Sequence, residues 1–186
     1  MKIMKIHPIF NREHIARHHA ETELISLGDK YGTDFMVVNF HNPEGNKYWA
    51  ALYENNGLCN DDWYGWNVDV LAPVSGVIKK VKENAIVNEP GIMTPGEAGV
   101  IQIETPDGEN VVIAHIHAPA VYEGDTITAG QIIAKAGNNG FSRNPHVHVG
   151  AWKGIEPLAI EVDRDLLIEM YKRVGEIFWY FGVEEE

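Results

Sequence analysis

The sequence predicts a mainly β fold, a small barrel or sandwich, with a helical or irregular segment ahead of it and an amphipathic helix behind. Three observations carry this reading. Short runs of β-branched and aromatic residues recur between residues 34 and 149, punctuated by Gly, Pro and Asn. Thr105-Pro106-Asp107-Gly108-Glu109 is a Pro-Asp-Gly turn between two apolar runs, the pattern of a β-hairpin. Apolar residues spaced three or four apart then take over near the C-terminal end.

In chain order, the first thirty residues read as helical or irregular and carry His7, His14, His18 and His19. Asp34 to Phe40 is a strand candidate, and Lys47 to Tyr53 its neighbour across the turn residues His41 to Gly45. Asn55 to Asn67 holds too many Asn, Asp and Gly for one regular element. Strands are expected at Val68 to Val74 and Val77 to Lys82. Asn88 to Gly99, with its prolines and glycines, is a loop. Val100 to Glu104 and Asn110 to Ile116 form the hairpin, followed by Gln131 to Lys135 and His146 to Val149. From Val162 to Phe181, Leu166, Met170, Val174, Ile177 and Phe181 mark one face of a helix, with Phe178 and Trp179 beside it. One β domain over residues 1–161, including the N-terminal extension, with a helix over 162–186 packed on it, is the expected organisation.

Composition narrows the function. Fifteen Lys and Arg against 27 Asp and Glu leave a net charge of −12 over 186 residues, which repels phosphate backbones and argues against a nucleic-acid partner. No apolar run is long enough for a membrane span, and the basic start has no continuous apolar stretch behind it of the kind a secretory signal needs. Cys59 is the single cysteine; it cannot form an intrachain disulfide or a cysteine-based zinc site, and is read as a small buried residue. Nine histidines are the unusual feature.

His146 and His148 are two apart on an expected strand, so both side chains leave one face. His115 and His117 repeat the relation on the hairpin. Histidines grouped this way suit a metal, and a cysteine-poor site would complete its set with a carboxylate, for which Asp34 and Asp69 are candidates. Asp61 and Asp62 read as solvated. Trp49, Trp63, Trp66 and Trp152 read as core residues, with Tyr64-Gly65-Trp66 the best candidate to line a cleft.

The second half of the chain resembles the LytM/lysostaphin-type zinc metallopeptidases, many of which cut peptide cross-links in bacterial cell walls. Val70-Leu71-Ala72-Pro73-Val74-Ser75-Gly76-Val77-Ile78 resembles the family's first strand pair, and Val112-Ile113-Ala114-His115-Ile116 its histidine-bearing strand. Tyr122 to Ala134, Gly137-Asn138-Asn139-Gly140-Phe141-Ser142 and Pro145-His146-Val147-His148 follow in the family's order. The resemblance implies a barrel-sandwich-hybrid-like antiparallel β domain and a Zn²⁺-dependent endopeptidase acting on peptide or peptidoglycan. It implies His148 as a zinc ligand and His115 and His146 as catalytic histidines. The family's tight H-x-G-x-D motif has no counterpart: Lys30 lies four before Asp34, and Gly65 four before Asp69. One branch instead has a histidine well upstream of a Y-A-x-D-F segment, which Tyr31-Gly32-Thr33-Asp34-Phe35 resembles. This assigns Asp34 and His19, ahead of His18, as the remaining ligands. His117 would orient a neighbour or stand at the rim. An inactive peptide- or wall-binding scaffold on the same fold is the alternative. A biotinyl/lipoyl-like carrier ranks last, since Lys79 and Lys80 lie in a strand with no methionine beside them.

Overall fold

A computed structural model describes residues 2–20, 29–41, 49–94 and 96–174 of the chain. In order, the strands are β1 (Ile3–Ile6), β2 (His14–His18), β3 (Thr33–Val37), β4 (Asn39–His41), β5 (Trp49–Ala51), β6 (Asp69–Leu71) and β7 (Gly76–Lys82). Then come β8 (Val100–Glu104), β9 (Glu109–Ala114), β10 (Ile116–His117), β11 (Thr126–Ile127), β12 (Ile132–Ala136), β13 (Val147–Lys153) and β14 (Glu156–Val162), followed by helix α1 (Arg164–Val174). The large sheet runs β1-β14-β13-β9-β8-β7-β11, with β3 also paired to β13 and β2 to β3. A smaller sheet, β10-β12-β6, closes over it, and β4 pairs with β5.

The core lies between the two sheets. Strand periodicity sends Ile101, Ile103, Val111, Ile113, Val147 and Val149 inward to meet Ile116 and Ile133, all fully buried. The same alternation turns His148 and Trp152 of β13, and Val112 and Ala114 of β9, onto the opposite face, where they line a cleft. The β8–β9 hairpin forms as its turn predicts: Thr105 and Glu109 bond across it, and Gly108 takes a φ of 75°. At the start of β7 the neighbouring strand comes very close. A Cβ on Gly76 would lie 2.3 Å from the Glu104 carbonyl oxygen.

The mainly β architecture agrees with the sequence reading, and the N-terminal segment departs from it. That segment contributes strands where helix or irregular chain was expected. Residues Ile3–Ile6 alternate in burial and run parallel to β14, Ile3 opposite Ala159. β2 buries only His14, so no two-residue apolar period marks it; its strand conformation comes from antiparallel pairing with β3, His14 opposite Val37. β14 starts at Glu156 and holds Pro157 one residue in, a position near the strand start where a missing N–H is tolerated. Cys59 is exposed, not buried, because it precedes a short 3-10 turn (Asn60–Asp62) at the surface.

Helix α1 is capped by Asp163, whose Oδ1 accepts the backbone N–H groups of Asp165 and Leu166 at 3.0 and 3.1 Å. It buries Met170 and Tyr171. The Tyr171 hydroxyl donates to the His14 carbonyl at 3.2 Å, tying the helix to β2. The expected continuation through Ile177 and Phe181 lies outside the described residues. Among the described residues, no helix is long and apolar enough to cross a membrane.

Two stability predictions follow from these contacts. Burial beside Phe10, Phe35 and Tyr171 pushes the His14 pKa below its ordinary 6.5. The unfolded chain therefore binds a proton that the folded chain refuses, and stability present above pH 6.5 is lost as the pH falls below it. Urea denaturation at about pH 7 and about pH 5 should show this loss, and His14→Gln should flatten part of the slope. Gly76→Ala should destabilise the fold by about 1–3 kcal/mol, read from the same denaturation midpoint, because β7 and β8 must separate to admit the methyl group.

Candidate active site

Strand register assembles the site. In β13, His148 stands directly opposite Asp34 of β3 on one side and Ala114 of β9 on the other, within side-chain reach of both. Its Nδ1 lies 2.8 Å from Asp34 Oδ1. Just past β2, the His19 backbone N–H donates to the Gly32 carbonyl at 3.0 Å. This brings His19 Nε2 within 3.0 Å of Asp34 Oδ2. The ligand atoms of His19, Asp34 and His148 all lie within 4.8 Å of one another. Two donors on one tetrahedral zinc are roughly 3.3 Å apart, given metal–ligand distances near 2.0–2.1 Å, so two imidazoles and a carboxylate at these spacings could hold a metal ion. His18, the neighbour of His19, bonds Thr33 Oγ1 at 2.9 Å instead. Asp69 pairs with Lys135 at 2.8 Å and takes no part.

His115 and His146 stand beside this cluster with ring centroids 4.6 Å apart. The His115 ring is 6.2 Å from that of His148, and His146 Nε2 is 3.7 Å from Asp34 Oδ1. Each donates Nδ1–H to a backbone carbonyl at 2.8 Å, His115 to Asn139 and His146 to Asn144. Those acceptors fix the tautomer and leave Nε2 unprotonated on each ring. Burial, then the neighbouring His146 and His148, drive the His115 pKa down to about 3; burial likewise lowers that of His146. His148 goes the other way. Burial disfavours its charge, but the carboxylates of Asp29 and Asp34 raise its pKa to about 9. Burial also works against ionisation of Asp34, and its bonds with His148 and His19 outweigh this, holding its carboxyl well below the usual range.

Buried amides support the loop that leads into His146. Asn138, Asn139, Asn88 and Ser142 are almost fully enclosed. Asn139 donates to the Ile116 carbonyl at 2.9 Å and accepts from the Gly99 N–H at 2.8 Å, clamping the segment that supports His115. Ser142 donates to Asn138 Oδ1 at 2.8 Å, and Asn88 reaches the Gly140 and Ser142 carbonyls at 2.9 and 2.8 Å. The run Gly137 to Ser142 marked a family motif in the sequence, but nothing in it showed that these side chains face inward. Enclosed amides are costly unless paired, and among the described residues Asn88 Oδ1 is the atom of this network that is buried without a partner.

Other expectations change. His115 sits at φ 64°, which breaks the strand alternation between β9 and β10. His117 therefore does not share its face: it stacks on Trp66 at 5.2 Å and is not among the residues lining the cleft. Trp66 is occupied by that stack, and Tyr64 packs against the core, so Tyr64-Gly65-Trp66 does not line the cleft either. Val100, Val112, Trp152 and Ile155 supply its apolar wall, with Arg17 and Arg143 as its basic groups, around a volume of about 1160 Å³. Asp29, which no pattern in the sequence singled out, lies 2.5 Å from His148 Nε2.

Comparison with known proteins is consistent with this geometry. The model of peptidase family M23 matches residues 64–160, just over half of the chain and the part that holds His115, His146 and His148. Among solved structures, the chain is similar to the M23 metalloprotease pseudoalterin from the deep sea, at 16% identity and a TM-score of 0.51, covering 84% of this chain and 75% of that one. It is also similar to the catalytic domain of the antimicrobial peptidase lysostaphin from Staphylococcus simulans, at 23% identity and a TM-score of 0.40, covering 57% of this chain and 81% of that one. No curated protein matches the sequence. With more than half of its length matched, the chain belongs to peptidase family M23.

Proposed function

We propose that the protein is a zinc metalloendopeptidase that cleaves peptidoglycan-type peptides, with His19, Asp34 and His148 as metal ligands and His115 and His146 as catalytic residues. The observation that carries this reading is the gathering of the three ligand atoms within 4.8 Å of one another beside two histidines whose Nδ1 atoms are held by backbone carbonyls. Zinc bound there would polarise the scissile carbonyl and acidify a water. The protein's own residues do the rest. A neutral Nε2, on His115 or His146, takes the water proton as the C–O bond forms, and the resulting Nε2–H then passes it to the leaving nitrogen as the C–N bond breaks. The Asn139 and Asn144 carbonyls hold Nδ1–H throughout, so neither ring turns away from the cleft. A stem peptide's carboxylate groups suit Arg17 and Arg143, which lie among the cleft residues of an otherwise acidic chain.

The two roles separate by mutation. His148→Ala and Asp34→Ala should lose bound zinc, measured by metal analysis after dialysis. His115→Ala and His146→Ala should retain zinc while cleavage of a peptidoglycan peptide falls by roughly 10²–10⁴. Wild-type protein that takes up no zinc when it is supplied, or that binds zinc and cleaves nothing, would turn the reading toward a binding or scaffold domain.

A further inference from the structure

Asp29 lies between His19 and Asp34 in the chain and is half-buried against the cluster. Both nitrogens of His148 are engaged, on opposite edges of the ring. Nδ1 faces Asp34 at 2.8 Å, on the side of the ligand cluster, and Nε2 faces Asp29 Oδ2 at 2.5 Å. The backbone makes room for this pair. A Cβ on Gly150 would lie 2.5 Å from both Asp29 carboxylate oxygens. One on Gly32 would lie 2.5 Å from His148 Cε1 and 3.0 Å from Asp29 Oδ2. Gly150 sits where β13 changes partner, from β3 over residues 147–149 to β14 over residues 151–153. The Gly32 N–H donates to the Asp29 carbonyl at 3.2 Å and folds the loop back onto the imidazole. Two glycines thus bound a slot shaped for one carboxylate against one ring.

We infer that Asp29 is a positioning residue for the metal centre: it accepts Nε2–H from His148 and so presents the Nδ1 lone pair to an ion shared with His19 and Asp34. The inference rests on the metal-site reading above and extends it to a residue outside the ligand set. A ligating histidine needs its other nitrogen held, and a carboxylate there fixes the tautomer and the ring plane. Among the described residues, the ligand atoms that lie within 4.8 Å of one another come from His19, Asp34 and His148, without Asp29. Asp29 therefore stands behind the histidine, not on the ion.

Chelator competition for zinc and long-range ¹H–¹⁵N spectra of the full chain test this together. The zinc-loaded wild type should show His148 protonated at Nε2 and metal-bound at Nδ1, with ¹¹³Cd substitution giving coupling to Nδ1. Asp29→Ala should weaken zinc binding roughly 10–100-fold and shift the His148 Nε2–H signal. Asp29→Asn, which keeps the shape of the slot, should fold as the wild type does and still bind zinc more weakly. Equal zinc affinity in wild type and both variants, or cadmium coupling to Nε2, would overturn the inference while leaving the metal site intact. A wild type that binds no zinc at all would overturn the metal-site reading itself, and this inference with it.

Discussion

The site depends on one constraint, the register of β13 between β3 and β9. His148 faces Asp34 across one strand pair and Ala114 across the other. Because side chains alternate along a strand, a slip of one residue would carry His148 into the core and Val147 or Val149 into the cleft. The fully buried Val147 and Val149 make that slip costly. Packing on the inner face of the sheet therefore sets the chemistry of the outer face.

Electrostatics then divides the histidines into two kinds. His148 lies between Asp29 and Asp34, whose carboxylates raise its pKa against the effect of burial; His115 and His146 bond backbone carbonyls, and burial lowers theirs. The same burial acts on all three, so the difference comes from the partner: a carboxylate stabilises an imidazolium, a carbonyl much less so. Metal uptake at this cluster would require an unprotonated nitrogen on His148, so binding would depend on pH.

The β8–β9 hairpin, the strands around it and the beginning of α1 were legible because a turn motif and an apolar period are local signals. His146 and His148 drew attention for the same reason, since a spacing of two is local, although β13 begins at Val147 and His146 forms an isolated bridge with Gly137. Their joining with Asp34 and His19 came from family resemblance, because strands far apart in sequence leave no local trace of their pairing. Asp29 left no signal of any kind. Its role depends on the missing side chains of Gly32 and Gly150, and a glycine in sequence does not say which neighbour it admits. β2 was hidden because only His14 on it is buried, and His117 was misplaced because nothing in the residue type foretells the left-handed turn at His115.

The proposed ligands come from two parts of the chain that share one core, to which the N-terminal part gives Met4, Ile6, Ile9, Phe10, Phe35 and Val37. Residues 64–160 carry His115, His146 and His148 within the family match; His19, Asp29 and Asp34 arrive on the N-terminal strands. β2 buries little apolar surface of its own, so its position rests on the ladder with β3, the packing of His14 on Phe10 and Phe35, and the Tyr171 hydroxyl from α1. β1, paired in parallel with β14, anchors the other end. An ion bridging His19 to His148 would add a link just past β2, on which only His14 is buried, and binding energy at that point would become folding energy of that strand. The helix that follows β14 is thus more than a cover for the core: through Tyr171 and His14 it holds in place the strand that leads into His19.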